Sequence, residues 1–150
     1  MYRLIREQEI SATRERIWDF IRTPHNLNSI TPPELDFKIV SQVPERMFNG
    51  LIVEYVIRIP FFGRRKWVAE IKHIREFISF VDEQRIGPYK FWYHYHELIE
   101  TDTGVRIIDR VYYEMPFGLL GRMLHFVIVR PTLEHIFAFR AERFKELLTG

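Results

Sequence analysis

The residues with the most chemical potential in this chain are two histidines, His94 and His96, which lie two positions apart in an aromatic-rich segment. The aromatic residues and the two-residue alternation predict a strand over about 89–100. Alternate side chains of a strand share one face, so both imidazoles are expected to lie beside Trp92. Large apolar bodies with polar tips are typical of a ligand pocket, in which a few polar groups orient a mostly apolar molecule.

Asp109 is the acidic residue expected to face these histidines, because the next predicted strand, about 105–115, runs antiparallel beside them. A His-x-His pair with an aspartate could hold a divalent metal, but the sequence offers no identifiable third ligand, and we predict no metal site and no cofactor. A His–Asp hydrogen bond could also make a general base, with Tyr113 polarising a carbonyl. We favour a third interpretation, a satisfied polar network in which each buried polar group has a partner, and such a network is compatible with ligand binding. The candidate catalytic residues, without an assigned reaction, are His94, His96, Asp109 and Tyr113.

The expected pocket lining extends onto the neighbouring strands, where alternate residues are taken to face inward. A one-residue slip would reverse every face, so this assignment depends on the register. For Asp82, a cross-strand ion pair with an arginine is the favoured alternative role. The predicted ligand-binding residues are Trp67, Phe80, Asp82, Gln84, Trp92, His94, His96, Asp109, Val111, Tyr113 and Leu124.

Composition limits the classes of protein that fit. The length of 150 residues predicts a single domain over 1–150, and 47% hydrophobic residues are enough for a core. The 22 basic and 20 acidic residues nearly balance without a long like-charged block, so a nucleic-acid partner is not expected. The absence of cysteine excludes disulfides, thiolate metal sites and cysteine nucleophiles. We expect a cytoplasmic protein without stable membrane insertion, because no signal peptide and no apolar run of about 18 residues is visible.

The pattern along the chain predicts one strand, two short helices, six further strands and a long C-terminal helix. Short connections favour antiparallel neighbours. Pro131 is expected to kink the last helix or to mark a junction within it. A helix with one apolar stripe must cover a sheet, and a strongly curved sheet leaves a cavity beneath it. The predicted strands span about 2–10, 35–43, 51–59, 65–75, 77–85, 89–100 and 105–115. The first predicted helix is capped by Ser11 or Thr13 and ends at Ile21, and the other predicted helices span about 24–30 and 119–148.

Four local motifs of the chain resemble those of the helix-grip superfamily, which includes START, Bet v 1-like and polyketide cyclase-like (SRPBCC) proteins. The resemblance is greatest to the bacterial ligand-binding branch. The four motifs are NSITPP at 28–33, FVDEQ with GPY at 80–89, WYHYH at 92–96 and DRVYYEMPFG at 109–118. The resemblance implies an α+β fold in which a curved seven-stranded antiparallel sheet wraps around a long C-terminal helix, with two short helices after the first strand. It also implies an inner cavity for an apolar or amphipathic small molecule, and it implies no particular reaction.

The favoured function is therefore binding of a hydrophobic or amphipathic small molecule, such as a lipid, an isoprenoid or a polyketide-like compound, by a carrier or sensor. One alternative is a cyclase- or dehydratase-type enzyme that uses His94 or His96 with Asp109. A second alternative is a homodimer or other homo-oligomeric interaction module. The adjacent Phe61 and Phe62, expected in a hairpin loop, could cover the cavity mouth, contact a partner, touch a membrane during ligand exchange or serve only in packing.

Overall fold

Seven strands form one antiparallel sheet in the computed structural model, which describes residues 1–150. In chain order they are β1 (Tyr2–Ile10), β2 (Lys38–Ile39), β3 (Leu51–Ile59), β4 (Gly63–Arg75), β5 (Ser79–Ile86), β6 (Phe91–Thr101) and β7 (Gly104–Glu114). Across the sheet the order is β1-β7-β6-β5-β4-β3-β2, so the strands from β2 to β7 pair with their neighbours in the chain and β1 closes against β7. The predicted α+β fold with its seven-stranded antiparallel sheet is confirmed.

The second strand is much shorter than the predicted strand over 35–43. Only Lys38 and Ile39 pair with β3. The segment Pro33–Leu35 forms a 3₁₀ turn instead, and Asp36 follows it in the left-handed region with φ 45°. Consecutive prolines favour a turn here because a proline ring fixes φ and removes a backbone donor, and this turn leaves only two residues to pair.

Two short helices follow β1, as predicted. The first, α1 (Arg14–Ile21), is capped by Thr13, whose hydroxyl accepts a hydrogen bond from the Arg16 amide at 3.2 Å. This cap satisfies one of the amides that the first turn leaves unpaired. The second is a 3₁₀ helix, Pro24–Ile30, which begins with the proline expected at that position.

A continuous helical segment closes the C-terminal end, and we call residues 118–148 the closing helix. It consists of α2 (Gly118–Leu124), a π-helical turn (His125–Val129) and α3 (Arg130–Leu148). The π-helical turn ends at Val129, two residues before Pro131, which has no amide to donate, so the predicted junction near this proline is a local widening of the helix. No helix of the structure combines the length and the apolar character needed to cross a membrane.

The register of the three central strands determines which side chains meet on the inner face. Opposite His94 lie Asp82 of β5 and Val111 of β7. Opposite His96 lie Phe80 of β5 and Asp109 of β7. Residues directly opposite in an antiparallel pair share a face, so this register brings two imidazoles and two carboxylates together.

The hydrophobic core is divided into two clusters. One packs Trp18 of α1 and Phe144 of the closing helix against the sheet, and the other packs Trp67, Trp92 and Phe137. Register shifts in the pairing of β4 with β5 bend the sheet between them. The sheet and the closing helix therefore touch in two regions and leave a space in the middle.

We predict that Gly121→Ala lowers the free energy of unfolding by about 1–3 kcal/mol, the usual cost of overpacking. A Cβ at position 121 would lie 1.8 Å from the backbone oxygen of Pro116, which no side-chain rotation can relieve. Helix propensity alone would favour alanine by about 1 kcal/mol, so the sign of the effect separates the two influences. Urea unfolding measures it, with Leu120→Ala at an exposed neighbouring position as the control. A more stable Gly121→Ala protein would contradict the close approach.

Candidate functional site

A cavity of about 700 Å³ lies between the inner face of the sheet and the closing helix. Of its 47 lining residues 30 are hydrophobic, so its wall is mostly apolar. The volume lies within the range of small-molecule sites, which is about 300 to 1,000 Å³, and the walls of such sites are also mostly apolar.

The cavity reaches the surface among exposed apolar side chains. Phe62 of the β3–β4 loop, Ile86 at the end of β5 and Phe117 before the closing helix all line it and are exposed. Phe61 does not line the cavity and is 91% exposed. Of the two adjacent phenylalanines, Phe62 thus lies at the cavity mouth and Phe61 projects into solvent.

Two histidines and two aspartates form a compact group in the cavity wall, which we call the His–Asp cluster: Asp82, His94, His96 and Asp109. Asp109 Oδ1 lies 2.7 Å from His94 Nε2 and 3.3 Å from His96 Nδ1. Asp82 Oδ2 lies 2.5 Å from His96 Nε2 and 3.4 Å from His94 Nδ1. The two imidazole rings stack with centroids 3.7 Å apart. Each ring nitrogen therefore faces one of the two carboxylates.

Burial and the charges of neighbouring side chains shift the pKa values of these residues in different directions. Burial, together with the neighbouring His96, lowers the pKa of His94. Burial also opposes a charge on His96, but hydrogen bonds to Asp109 and Asp82 raise its pKa above the ordinary value. Burial raises the pKa of Asp109, yet the hydrogen bonds from both histidines outweigh it and hold this pKa well below the usual range. Burial also raises the pKa of Asp82, but His94 and His96 lower it overall. These shifts favour the ionised form of both aspartates and make His96 the more basic imidazole.

The structure places most of the predicted ligand-binding residues in the cavity wall and a few behind it. The lining includes Trp67, Phe80, Asp82, Trp92, His94, His96, Asp109 and Leu124. The lining does not include Gln84, Val111 or Tyr113. Gln84 instead holds the turn before β6, since its amide donates to the Tyr89 carbonyl at 2.8 Å and accepts from the Tyr89 amide at 3.1 Å.

Two further assignments differ from the sequence-based expectation. The favoured ion pair between Asp82 and an arginine is wrong, because the partners of Asp82 are His94 and His96. The candidate catalytic Tyr113 points to the closing helix, where its hydroxyl lies 2.7 Å from His125 Nε2. Burial raises the pKa of Tyr113 to about 12, so its hydroxyl stays protonated.

Arg140 of the closing helix is a cavity residue that sequence reasoning did not single out. Its guanidinium lies 5.1 Å from the centre of the Phe137 ring, and it forms no ion pair. Its Nε is buried without a hydrogen-bond partner, as is Nε1 of Trp67. The sequence feature that could have identified Arg140 is its position within the apolar stripe of a helix, three positions after Phe137 and seven after Leu133.

Solved structures with the same architecture identify the fold. A START superfamily protein from Mycobacterium smegmatis aligns with a TM-score of 0.70 and 12% identity over 98% of this chain and 99% of its own. Protein CV1439 from Chromobacterium violaceum aligns with a TM-score of 0.75 and 12% identity over 100% and 99%. The chain therefore shares the fold of these two proteins, and the helix-grip fold expected from its motifs is confirmed.

A nucleoside-diphosphate sugar epimerase from Corynebacterium glutamicum is similar to this chain at 25% identity, with a TM-score of 0.69. The alignment covers 95% of this chain but 28% of the epimerase. The likeness thus concerns one part of a longer protein, and the epimerase name describes that whole protein. A scan of protein-family models and a search of curated proteins gave no match.

We predict that Tyr113→Phe lowers the free energy of unfolding by about 1–3 kcal/mol, the cost of leaving a buried polar group unsatisfied. The other ring nitrogen of His125, Nδ1, already lacks a partner, so removal of the Tyr113 hydroxyl leaves this buried imidazole with no hydrogen bond. Tyr112→Phe, on the opposite face of β7, is the control. Urea unfolding of both variants measures the difference, and equal stabilities would show that the Tyr113–His125 bond contributes nothing.

Proposed function

We propose that this protein binds an amphipathic small molecule with an anionic or strongly hydrogen-bond-accepting group, as a carrier or a sensor. The observation that carries the proposal is a largely apolar cavity of about 700 Å³ with a small set of polar groups in its wall. Removing the apolar surface of a ligand from water supplies the affinity, since each square ångström buried contributes roughly 25 cal/mol. The polar groups then select among apolar molecules.

The polar character of the ligand follows from donors that the protein leaves unpaired. Trp67 Nε1 and Arg140 Nε both belong to cavity-lining residues and lack a hydrogen-bond partner. An unpaired buried donor costs about 1–3 kcal/mol, so a ligand oxygen that accepts from either one recovers this cost. Because Arg140 is also positively charged and forms no ion pair, a carboxylate or another anionic group is the better match.

The route of the ligand is supported by the exposed apolar side chains at the cavity mouth. Phe62 and Phe117 lie on two different loops and line the cavity, as does Leu124 of the closing helix. A continuous apolar path from surface to cavity lowers the cost of moving an apolar molecule inward.

Native mass spectrometry of the purified protein, followed by organic extraction, tests the class of ligand directly. A co-purifying acidic lipid, isoprenoid or polyketide-like compound is the expected result. Exchange with a dansyl-labelled fatty acid provides a binding assay, because Trp67 and Trp92 lie in the cavity wall and transfer excitation to the bound dansyl group.

We predict that Ala69→Phe weakens binding of the dansyl-labelled fatty acid at least about tenfold, equivalent to about 1.4 kcal/mol. Ala69 is 4% exposed and lines the cavity, so a phenylalanine there occupies the space that the probe needs. Ala138→Phe makes the same change at an exposed position of the closing helix outside the cavity and should leave the affinity unchanged. Thermal melting confirms that both variants fold. Equal affinities of the wild type and Ala69→Phe would contradict binding in this cavity.

We predict that Arg140→Gln weakens binding of the dansyl-labelled acid about tenfold or more while changing binding of its methyl ester little. A hydrogen bond to a charged group contributes about 1.5–3 kcal/mol, and the ester carries no charge. Arg143→Gln is the matched control, because Arg143 donates to the Ser29 carbonyl at the surface and pairs with Glu146. Equal losses for acid and ester would show that Arg140 shapes the cavity without recognising an anion.

A further inference from the structure

The nitrogens of the His–Asp cluster are divided between its two carboxylates in an ordered way. Asp109 Oδ1 faces Nε2 of His94 and Nδ1 of His96, at 2.7 and 3.3 Å. The remaining nitrogens, Nδ1 of His94 and Nε2 of His96, both face the single oxygen Oδ2 of Asp82. Asp109 thus faces one nitrogen of each ring, and Asp82 faces the other nitrogen of each ring.

This arrangement has a consequence for the electron pairs. A neutral imidazole carries one N–H group and one lone pair. When Asp109 accepts the N–H of both rings, the lone pairs of the other two nitrogens point to the Asp82 oxygen. One electron-rich atom each from Asp82, His94 and His96 then points to the same position. These three atoms lie within 4.8 Å of one another. In this tautomer, a proton or a metal ion between the three atoms relieves the repulsion of their electron pairs.

We propose that Asp82, His94 and His96 bind one divalent transition-metal ion, with Asp109 as the outer carboxylate that orients both imidazoles. Two imidazoles and one carboxylate suit zinc, iron, cobalt or manganese, whereas calcium and magnesium prefer oxygen ligands alone. Metal-binding histidines almost always donate their second N–H to a carboxylate, a carbonyl or water, and Asp109 is placed to accept from both. Asp82 is the third ligand that could not be identified in the sequence.

The surroundings of the cluster hold its rings in position. His96 stacks between His94 and Phe80, and its ring centre lies 4.1 Å from that of Phe80 with the planes 6° apart. Phe137 of the closing helix meets the His94 ring edge-on at 5.6 Å. Apolar groups on both sides therefore limit rotation of the imidazoles, and such pre-orientation favours a defined coordination geometry.

Charge and access also fit a divalent ion. Two carboxylate groups lie beside the imidazoles and can balance its charge, which is the condition for burying a cation in a largely apolar cavity. All four cluster residues line the cavity, so the ion reaches the site through the same opening as a ligand. Three protein ligands leave coordination positions free on the cavity side, as in catalytic rather than structural metal sites. The site does not depend on the apolar ligand and can be tested without one.

The test is titration of the full-length protein with Co²⁺ and with Zn²⁺ after dialysis against a chelator. We expect one equivalent of Co²⁺ to bind and to give visible d–d absorption, and Zn²⁺ to displace it. His96→Gln and Asp82→Asn should abolish this signal, and Asp109→Asn should weaken binding about 10–100-fold, the usual effect of an outer carboxylate. His135→Gln is the matched control, because His135 also pairs with a carboxylate, Glu34, but at the surface.

Two results would overturn the proposal: wild-type protein that binds less than stoichiometric Co²⁺ without d–d absorption, or the same binding in His96→Gln as in the wild type. Circular dichroism and thermal melting show whether each variant is folded, and dansyl-labelled fatty acid binding by the wild type keeps failure of the metal site distinct from failure of the cavity. If His96→Gln does not fold, imidazole NMR signals of the wild type decide the question. Zn²⁺ should shift the signals of His94 and His96 and leave those of His25 and His135 in place; the reverse pattern contradicts the site.

Discussion

The structure depends on keeping four ionisable side chains paired inside an apolar cavity. Removing one partner from a buried ion pair costs about 3–5 kcal/mol, because the other charge is left without compensation. Asp82, His94, His96 and Asp109 come from three adjacent strands, and their pairing exists only in one register. A one-residue slip of β6 would turn both imidazoles to the outer face and leave both aspartates unpaired. The cluster therefore destabilises alternative registers of the central strands relative to the native one.

The same cluster explains why the closing helix does not pack tightly along its whole length. Polar side chains on the inner face offer the helix no apolar surface there, and Phe137 makes only an edge-on contact with His94. The apolar contacts concentrate on either side, in two separate clusters. Burial in these clusters supplies the hydrophobic stabilisation, and residues of both clusters line the cavity.

The sheet could be predicted from the sequence because alternation and short connections both act over a few residues. The pairing of His94 and His96 with Asp109 followed from the same local pattern. The strand over 35–43 was overestimated because the 3₁₀ turn at Pro33 and the left-handed Asp36 outweigh the apolar alternation. The partners of Asp82 were predicted wrongly, because a cross-strand arginine was favoured over the two imidazoles that the register of β5 with β6 places beside it. The role of Arg140 depends on how the closing helix lies across the sheet, which no local pattern specifies.

The two kinds of polar group in the cavity require opposite partners, and together they restrict what can occupy it. The Asp82 side of the cluster presents electron-rich atoms and favours a cation. Arg140 and Trp67 present donors and favour an acceptor or an anion. Burial raises the pKa of Asp82, but His94 and His96 lower it overall, and the positive charge of Arg140 makes a smaller contribution in the same direction. A ligand whose carboxylate lay between Arg140 and a cation at the cluster would be attracted by both. Its apolar remainder would then contact Trp92 and Phe137 in the cavity wall. A purely apolar ligand would leave the donors unpaired, and this cost makes an amphipathic occupant the better fit.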